Sequence, residues 1–290
     1  MTLRRSYRSV LFVPADRTDR VLSAPSRGAD AIVADLEDAV APDRKAGARA
    51  SLAELLVAGR VEGRVMVRVN AAGTPYIADD VAALAPALGS LDALVLPMSS
   101  PDGVAELHRL LAEHGAPEEL AIVALAETAA GILDARETAA ASPRVTQMLF
   151  GPADLSAELG VTVTAEGTEL AHARAHLVLA SAAAGLLPPI DGPYLNVDDA
   201  AGLVRSVRAA RTLGFGGKAA IHPAQLAAVH AGFAPDAATL DWAREVVAAA
   251  ESATADGSGV ARLADGTFVD EPIARRARAL LAQAGAGAGA

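Results

Sequence analysis

Eight short apolar runs, each followed by a turn signal and then by a longer stretch with helical spacing, succeed one another along most of the chain. The runs fall at residues 9–14, 31–35, 65–70, 93–97, 121–126, 147–150, 186–190 and 218–221. The intervening helical stretches fall at 16–26, 43–58, 78–88, 101–113, 129–141, 168–184, 198–213 and 223–231. Runs that are apolar throughout, without polar alternation, suit parallel strands covered on both faces. Strict strand–helix alternation over this length predicts an α/β fold in which the sheet closes into a (β/α)8 TIM barrel. An open doubly wound sheet competes with it, but no glycine fingerprint follows the first run. The barrel is expected to occupy residues 1–232. Beyond it the pattern changes to a helix at 236–250, a Gly/Ser/Asp stretch at 256–266 and a last helix from Pro272. Residues 233–282 therefore read as a C-terminal helical arm or lid, and the Gly/Ala tail at 283–290 as disordered.

Composition narrows the chemistry. A net charge of −10 argues against the broad cationic surface that nucleic acid requires, while leaving room for a local basic pocket. No apolar run approaches the length that spans a bilayer, and the opening residues lack the core and cleavage site of an export signal. The absence of cysteine excludes disulfides, thiolate metal sites and a cysteine nucleophile, and fits a cytoplasmic setting. Any metal must bind through oxygen or imidazole.

In a parallel barrel the working loops leave the carboxyl ends of the strands. Those positions carry Asp35, Glu37 and Asp38 after the second run, Arg68 and Asn70 in the third, Glu127 after the fifth, Asp154 after the sixth, Asp191 after the seventh and His222-Pro223 after the eighth. Carboxylates gathered at one mouth repel unless protonated or bridged by a cation, and they supply the hard oxygen ligands that Mg²⁺ or Mn²⁺ prefers. Arg68 among them would hold a substrate carboxylate or stabilise an enolate. Each residue also has a plainer reading. Asp154 would cap the helix that follows it, as Asp43 and Asp198 would cap theirs. Asp191-Gly192-Pro193 would be a turn, His222 a buried and satisfied histidine, and Arg68 a structural partner of Glu37 or Asp38.

At these positions the chain resembles the HpcH/HpaI aldolase and citrate lyase family, in its citrate lyase beta-subunit-like branch. The carriers are Ser9-Val-Leu-Phe-Val-Pro14, the stretch from Gly28 to Val40 containing Asp35-Leu-Glu-Asp38, Val67-Arg-Val-Asn70, Glu127-Thr-Ala-Ala-Gly131, Phe150-Gly-Pro-Ala-Asp-Leu155, Asp191-Gly-Pro193 and Gly217-Lys-Ala-Ala-Ile-His-Pro223. The resemblance implies a barrel enzyme, usually trimeric, with Mg²⁺ held by Glu127 and Asp154 and with Arg68 as the substrate arginine. Asp35, Glu37 and Asp38 match the acidic loop that supports the site. Thr267-Phe-Val-Asp-Glu-Pro272 looks like the lid segment that delivers an aspartate to a neighbouring subunit, which makes Asp270 the candidate acid/base. Arg17, His222 and Pro223 lie where related enzymes line the pocket for the coenzyme A arm. The implied reaction is cleavage or formation of the C–C bond of a β-hydroxyacyl-CoA, such as malyl- or citramalyl-CoA, to acetyl-CoA and a 2-oxo acid. The alternatives are a malyl-CoA-type thioesterase, a citrate lyase subunit served by an acyl carrier protein, and a binding-only paralogue.

The chain departs from the family pattern at three places. Pro97-Met98-Ser99-Ser100 stands where many relatives have lysine and then an acidic residue, Ala130 stands where many have arginine, and Ser23-Ala24-Pro25 replaces a usual Lys-Ala. Each change removes positive charge near a site expected to hold anions.

Overall fold

The computed structural model describes residues 6–164 and 166–287, with side chains to residue 282. The chain divides after Phe233 into two compact units.

In the first unit the strands are β1 (Ser9–Pro14), β2 (Ala31–Asp35), β3 (Val65–Arg68), β4 (Ala93–Leu96), β5 (Ala121–Ala126), β6 (Val145–Phe150), β7 (Ile190–Asp191) and β8 (Gly217–Ala220). They pair in sequence order, all parallel, and β8 returns to β1, closing the barrel. The helices of this unit are α1 (Thr18–Ser23), α2 (Lys45–Val57), α3 (Ile77–Leu84), α4 (Pro101–Glu113), α5 (Ala129–Leu133), α6 (Ala135–Ala140), α7 (Pro152–Leu159), α8 (Ala171–Ala183), α9 (Ala200–Leu213) and α10 (Leu226–Phe233).

Strand parity sorts the apolar residues into two layers. Val10, Val33, Met66, Val95, Val123, Leu125, Leu149, Ile190 and Ala219 pack together inside the barrel. Their neighbours Leu11, Ile32, Ala34, Val67, Leu94, Ile122, Ala124 and Ala220 join the larger core between the strands and the helices. The same period carries Asp35, Arg68 and Glu127, each an even number of residues beyond an interior position, to the inner face at the mouth.

Four details depart from the sequence reading. β7 is reduced to two residues, because Pro188 and Pro189 have no amide hydrogen to give the ladder. The helix expected at 129–141 breaks at Asp134 into α5 and α6. α7 begins already at Pro152, which is tolerated in a first turn, so Asp154 lies inside the helix rather than capping it from the position before. The cap of α9 falls on Asp199, which accepts from the Gly202 N–H at 2.8 Å, and not on Asp198.

The second unit consists of α11 (Ala237–Ala255), an antiparallel pair β9 (Ala261–Arg262) and β10 (Phe268–Val269), and α12 (Glu271–Gly287). Ala243, Val246, Leu263, Val269 and Ala277 form its small core. The stretch expected to be irregular thus contains part of a hairpin. α12 continues to Gly287, into the tail expected to be disordered; its Ala and Gln residues are good helix formers. Residues 288–290 lie outside the described residues. Among the described residues, no helix is long and apolar enough to cross a membrane.

Candidate active site

The acidic loop after β2 is anchored before any ligand arrives. Lys45, on α2, donates from Nζ to the carbonyls of Leu36 (2.9 Å) and Glu37 (2.8 Å). The Glu37 N–H closes back onto Asp35 Oδ1 at 2.9 Å. Asn70 donates to the Leu36 carbonyl at 3.2 Å and to Asp80 Oδ2 at 2.6 Å, and Asp80 in turn receives Arg49 Nε at 3.0 Å. Asn70, expected near the substrate, is therefore a brace behind the loop.

Arg68 stands on the inner face with only 9% of its surface exposed. Its Nε and Nη2 donate to the two oxygens of Asp35 at 2.8 and 2.6 Å, the bidentate arrangement that suits a planar guanidinium. Nη1 lies 2.7 Å from Glu37 Oε2 and 3.6 Å from Asp38 Oδ2, and the cation sits 5.4 Å from the Phe12 ring centroid. Burial works against the charge, but the hydrogen bonds that Arg68 donates to Asp35 and the nearby Asp35, Glu37 and Asp38 charges outweigh it and raise the Arg68 pKa further. Glu37 Oε2 has no aligned hydrogen-bond donor despite the short ion pair, so it is held by charge alone. Burial pushes the Glu37 carboxyl up to about 7 against the pull of Arg68, with Asp38, Asp35 and Asp154 adding repulsion.

Glu127 follows β5 and is 3% exposed. Its Oε1 accepts the Met98 N–H at 2.8 Å. Met98 is the single non-glycine residue with positive φ among the described residues, at 46°, a conformation that costs energy and turns the amide toward the site. Burial raises the Glu127 carboxyl to about 8; the Met98 N–H opposes this, while Glu37 and Asp154 add to it. Glycine is required at position 151, because a Cβ there would lie 2.3 Å from the Cβ of Glu127 and 2.6 Å from its Oε2. Asp154 sits half-buried in the first turn of α7, and that turn has no side-chain cap hydrogen bond, so capping does not account for it. Among the described residues no group of three or more His, Asp or Glu side chains is placed to enclose a metal by itself. Two carboxylates with water or substrate oxygens are nonetheless a usual Mg²⁺ environment.

One expected site residue faces away from the mouth, and another belongs to the second unit. Ile190 points inward, so Asp191 points out toward the helices, where it receives Lys218 Nζ at 2.5 Å and Arg174 Nη2 of α8 at 2.8 Å. Asp191 is a structural anion in the wall, and Lys218, almost wholly buried, has its pKa lowered by that burial while Asp191 opposes the shift. Asp270 precedes α12 in the second unit, where its Oδ1 accepts the Ile273 N–H at 3.2 Å. His222 is exposed rather than buried; its Nδ1 accepts the Ala224 N–H at 3.2 Å and caps the short turn Pro223–Gln225. Arg17 is exposed after β1 and pairs with Asp19 at 3.3 Å. Since β1 and β8 are neighbours, Arg17, His222 and Pro223 lie along one arc of the mouth.

A cavity of about 490 Å³ opens at the opposite pole, lined by Tyr7, Asp92, Glu119, Thr146, Gln147 and apolar neighbours. It contains neither Arg68 nor Glu127 and Asp154, the expected metal carboxylates.

A closed barrel with buried carboxylates and one buried arginine at its C-terminal end is a (β/α)8 enzyme built for an anionic substrate and a hard cation. The chain belongs to the HpcH/HpaI aldolase/citrate lyase family, whose model matches residues 8–223. It is 38% identical over 279 residues to a (3S)-malyl-CoA thioesterase of Cereibacter sphaeroides, covering 96% of this chain and 94% of that one. It is 34% identical over 305 residues to the L-malyl-CoA/beta-methylmalyl-CoA lyase of the same organism, covering 97% and 95%. The protein CitE of Mycobacterium tuberculosis, solved with magnesium, acetoacetate and coenzyme A, superposes with a TM-score of 0.81 at 34% identity, over 98% of this chain and 100% of that chain.

Proposed function

We propose that the chain is a Mg²⁺-dependent lyase that breaks or makes the C–C bond of a β-hydroxyacyl-CoA, such as malyl-CoA or citramalyl-CoA, exchanging it for acetyl-CoA and a 2-oxo acid. The observation that carries this reading is the crowding of Glu127, Glu37 and Asp154 near Arg68, with two of the carboxyls raised to about 8 and about 7. Such a set is poorly stable without a cation and fits one that takes oxygen ligands.

Glu127 and Asp154 would hold Mg²⁺ (or Mn²⁺), which when bound would engage the substrate's oxygens and acidify its β-hydroxyl. The chain supplies the rest. Cleavage passes the acidified hydroxyl proton to water, turns that carbon into the carbonyl of the 2-oxo acid, and sends the C–C electron pair into a thioester enolate. A guanidinium has five N–H groups, and Asp35 takes two of those of Arg68. The remaining N–H groups on Nη1 and Nη2 would donate to the enolate oxygen as its charge develops. Asp270, brought from the lid of a neighbouring subunit in a homotrimer, would protonate the enolate carbon or remove that proton in condensation. Arg17, His222 and Pro223 would line the path of the coenzyme arm, and Asp38 would tune the charge of Arg68.

A thioesterase is the second reading, favoured by the 38% identity to the (3S)-malyl-CoA thioesterase. An acyl carrier protein as thioester carrier is a finer variant of the first. Glu127→Gln and Asp154→Asn test the shared core: each is expected to abolish Mg²⁺-dependent turnover in a folded protein, and full activity in both would refute it.

A further inference from the structure

α7 carries Asp154 yet is lightly fastened: Leu155 is its one buried residue, and no side chain caps its start. Upstream it is tied to β5 through the Gly151 N–H, which donates to the Ala126 carbonyl at 3.0 Å. One turn beyond Asp154, on the same side of the helix, Glu158 Oε2 accepts the backbone N–H of Ala129 at 2.8 Å. Ala129 lies two residues after Glu127 and is the first residue of α5. The two segments bearing the expected metal ligands are thus bridged at a second point by one charge-assisted hydrogen bond.

We propose that Glu158 is a positioning residue, fixing the spacing between Glu127 and Asp154 through the Ala129 amide. The proposal rests on the reading that those two carboxylates hold the divalent ion. Asp154 and Glu127 lie near enough to repel when both are ionised. Burial of Leu155 and the Glu158 bond, three residues apart on one helix face, hold α7 in place against that repulsion. Without the bridge the metal-free site opens, and binding the ion must then draw it closed again, at a cost in affinity.

Ala129 offers an independent way to remove the bond. It occupies the first helical position of α5, where proline is tolerated, and it follows Thr128 at φ −121° and ψ 157°, the extended conformation that precedes proline readily. Ala129→Pro therefore deletes the donor while leaving the helix start intact. Mn²⁺ binding followed by electron paramagnetic resonance is the readout, with melting temperature measured alongside. Glu158→Ala and Ala129→Pro are each expected to weaken Mn²⁺ binding about ten-fold, the usual order for a lost outer partner of a metal ligand. The double variant is expected to be no worse than either single one. Glu158→Gln keeps an acceptor oxygen and is expected to recover affinity to within about two-fold, since the bond rather than the charge sets the geometry. Wild-type affinity in Glu158→Ala, additive losses in the double variant, or a glutamine variant as weak as alanine would overturn the proposal. Glu127→Gln is the control that separates the two readings: if it too binds Mn²⁺ as wild type does, the metal site itself has been misplaced.

Discussion

Gly151→Ala probes how tightly the barrel grips Glu127. Gly151 has φ −104° and ψ 90°, which alanine can adopt, so the substitution brings no penalty from backbone handedness. The cost is steric. The new Cβ would lie 2.3 Å from the Glu127 Cβ, whereas ordinary contact begins at 3.4 Å, so the two must separate by about 1 Å. The obstructing atom is a buried side-chain root with no torsion of its own to yield by, and moving it strains the 2.8 Å bond from Met98 to Oε1. Overpacking of this kind costs about 1–3 kcal/mol, which for a unit of this size lowers the melting temperature by about 5 °C. A catalytic ligand displaced by about 1 Å loses on the order of a hundred-fold in kcat/KM. Calorimetry, Mn²⁺ titration and steady-state turnover of the purified variant give the three readings. Near-wild-type metal affinity and turnover would refute the claim that Gly151 exists to admit Glu127.

Glu127 and Glu37 have folded pKa values near 8 and 7 against about 4.5 when unfolded, so their contribution to stability is full below about 4.5 and is lost as pH rises through 7 and 8. Metal-free protein should therefore lose melting temperature over that range and Mg²⁺ should restore it; a flat profile without metal, or the same loss in Glu127→Gln/Glu37→Gln, would contradict the assignment. Asp191→Asn leaves Lys218 and Arg174 buried without their anion and should cost about 3–5 kcal/mol in urea unfolding while Mn²⁺ affinity per folded molecule is unchanged. Loss of metal binding with stability intact would return Asp191 to the site. Mixed Asp270→Asn and Arg68→Ala subunits should regain part of the activity that each lacks alone; no recovery despite confirmed subunit exchange would exclude a shared site.

The barrel was legible because its signal is redundant: eight apolar runs and the helical stretches between them all favour one closure. Irregularity was less legible. Pro188-Pro189 sit in an apolar run and cut β7 short, and the helix expected after Asp154 starts two residues earlier, at Pro152. Within the site the sequence pointed to Asp35, Arg68, Glu127 and Asp154 through their position at strand ends. Strand position alone did not separate Glu127 from Asp191. Parity does, since Leu125 and Ile190 both face inward, which sends Glu127 in and Asp191 out. Lys218, in the otherwise Gly/Ala strand Gly217–Ala220, was the available sign that a buried anion must lie beside it. Lys45, the Met98 amide and Gly151 left no sequence signal of comparable kind, because each acts through a carbonyl, a backbone N–H or an absent Cβ that only the assembled barrel brings near the acidic loop or Glu127.

C–C cleavage and thioester hydrolysis leave different products. Purified protein with Mg²⁺ would be incubated with malyl-, citramalyl- and citryl-CoA, and the products identified by mass spectrometry. Acetyl-CoA together with a 2-oxo acid is expected from at least one of them, and from none in Glu127→Gln. Free coenzyme A with the intact hydroxy acid, and no acetyl-CoA from any substrate, would contradict it and establish the thioesterase.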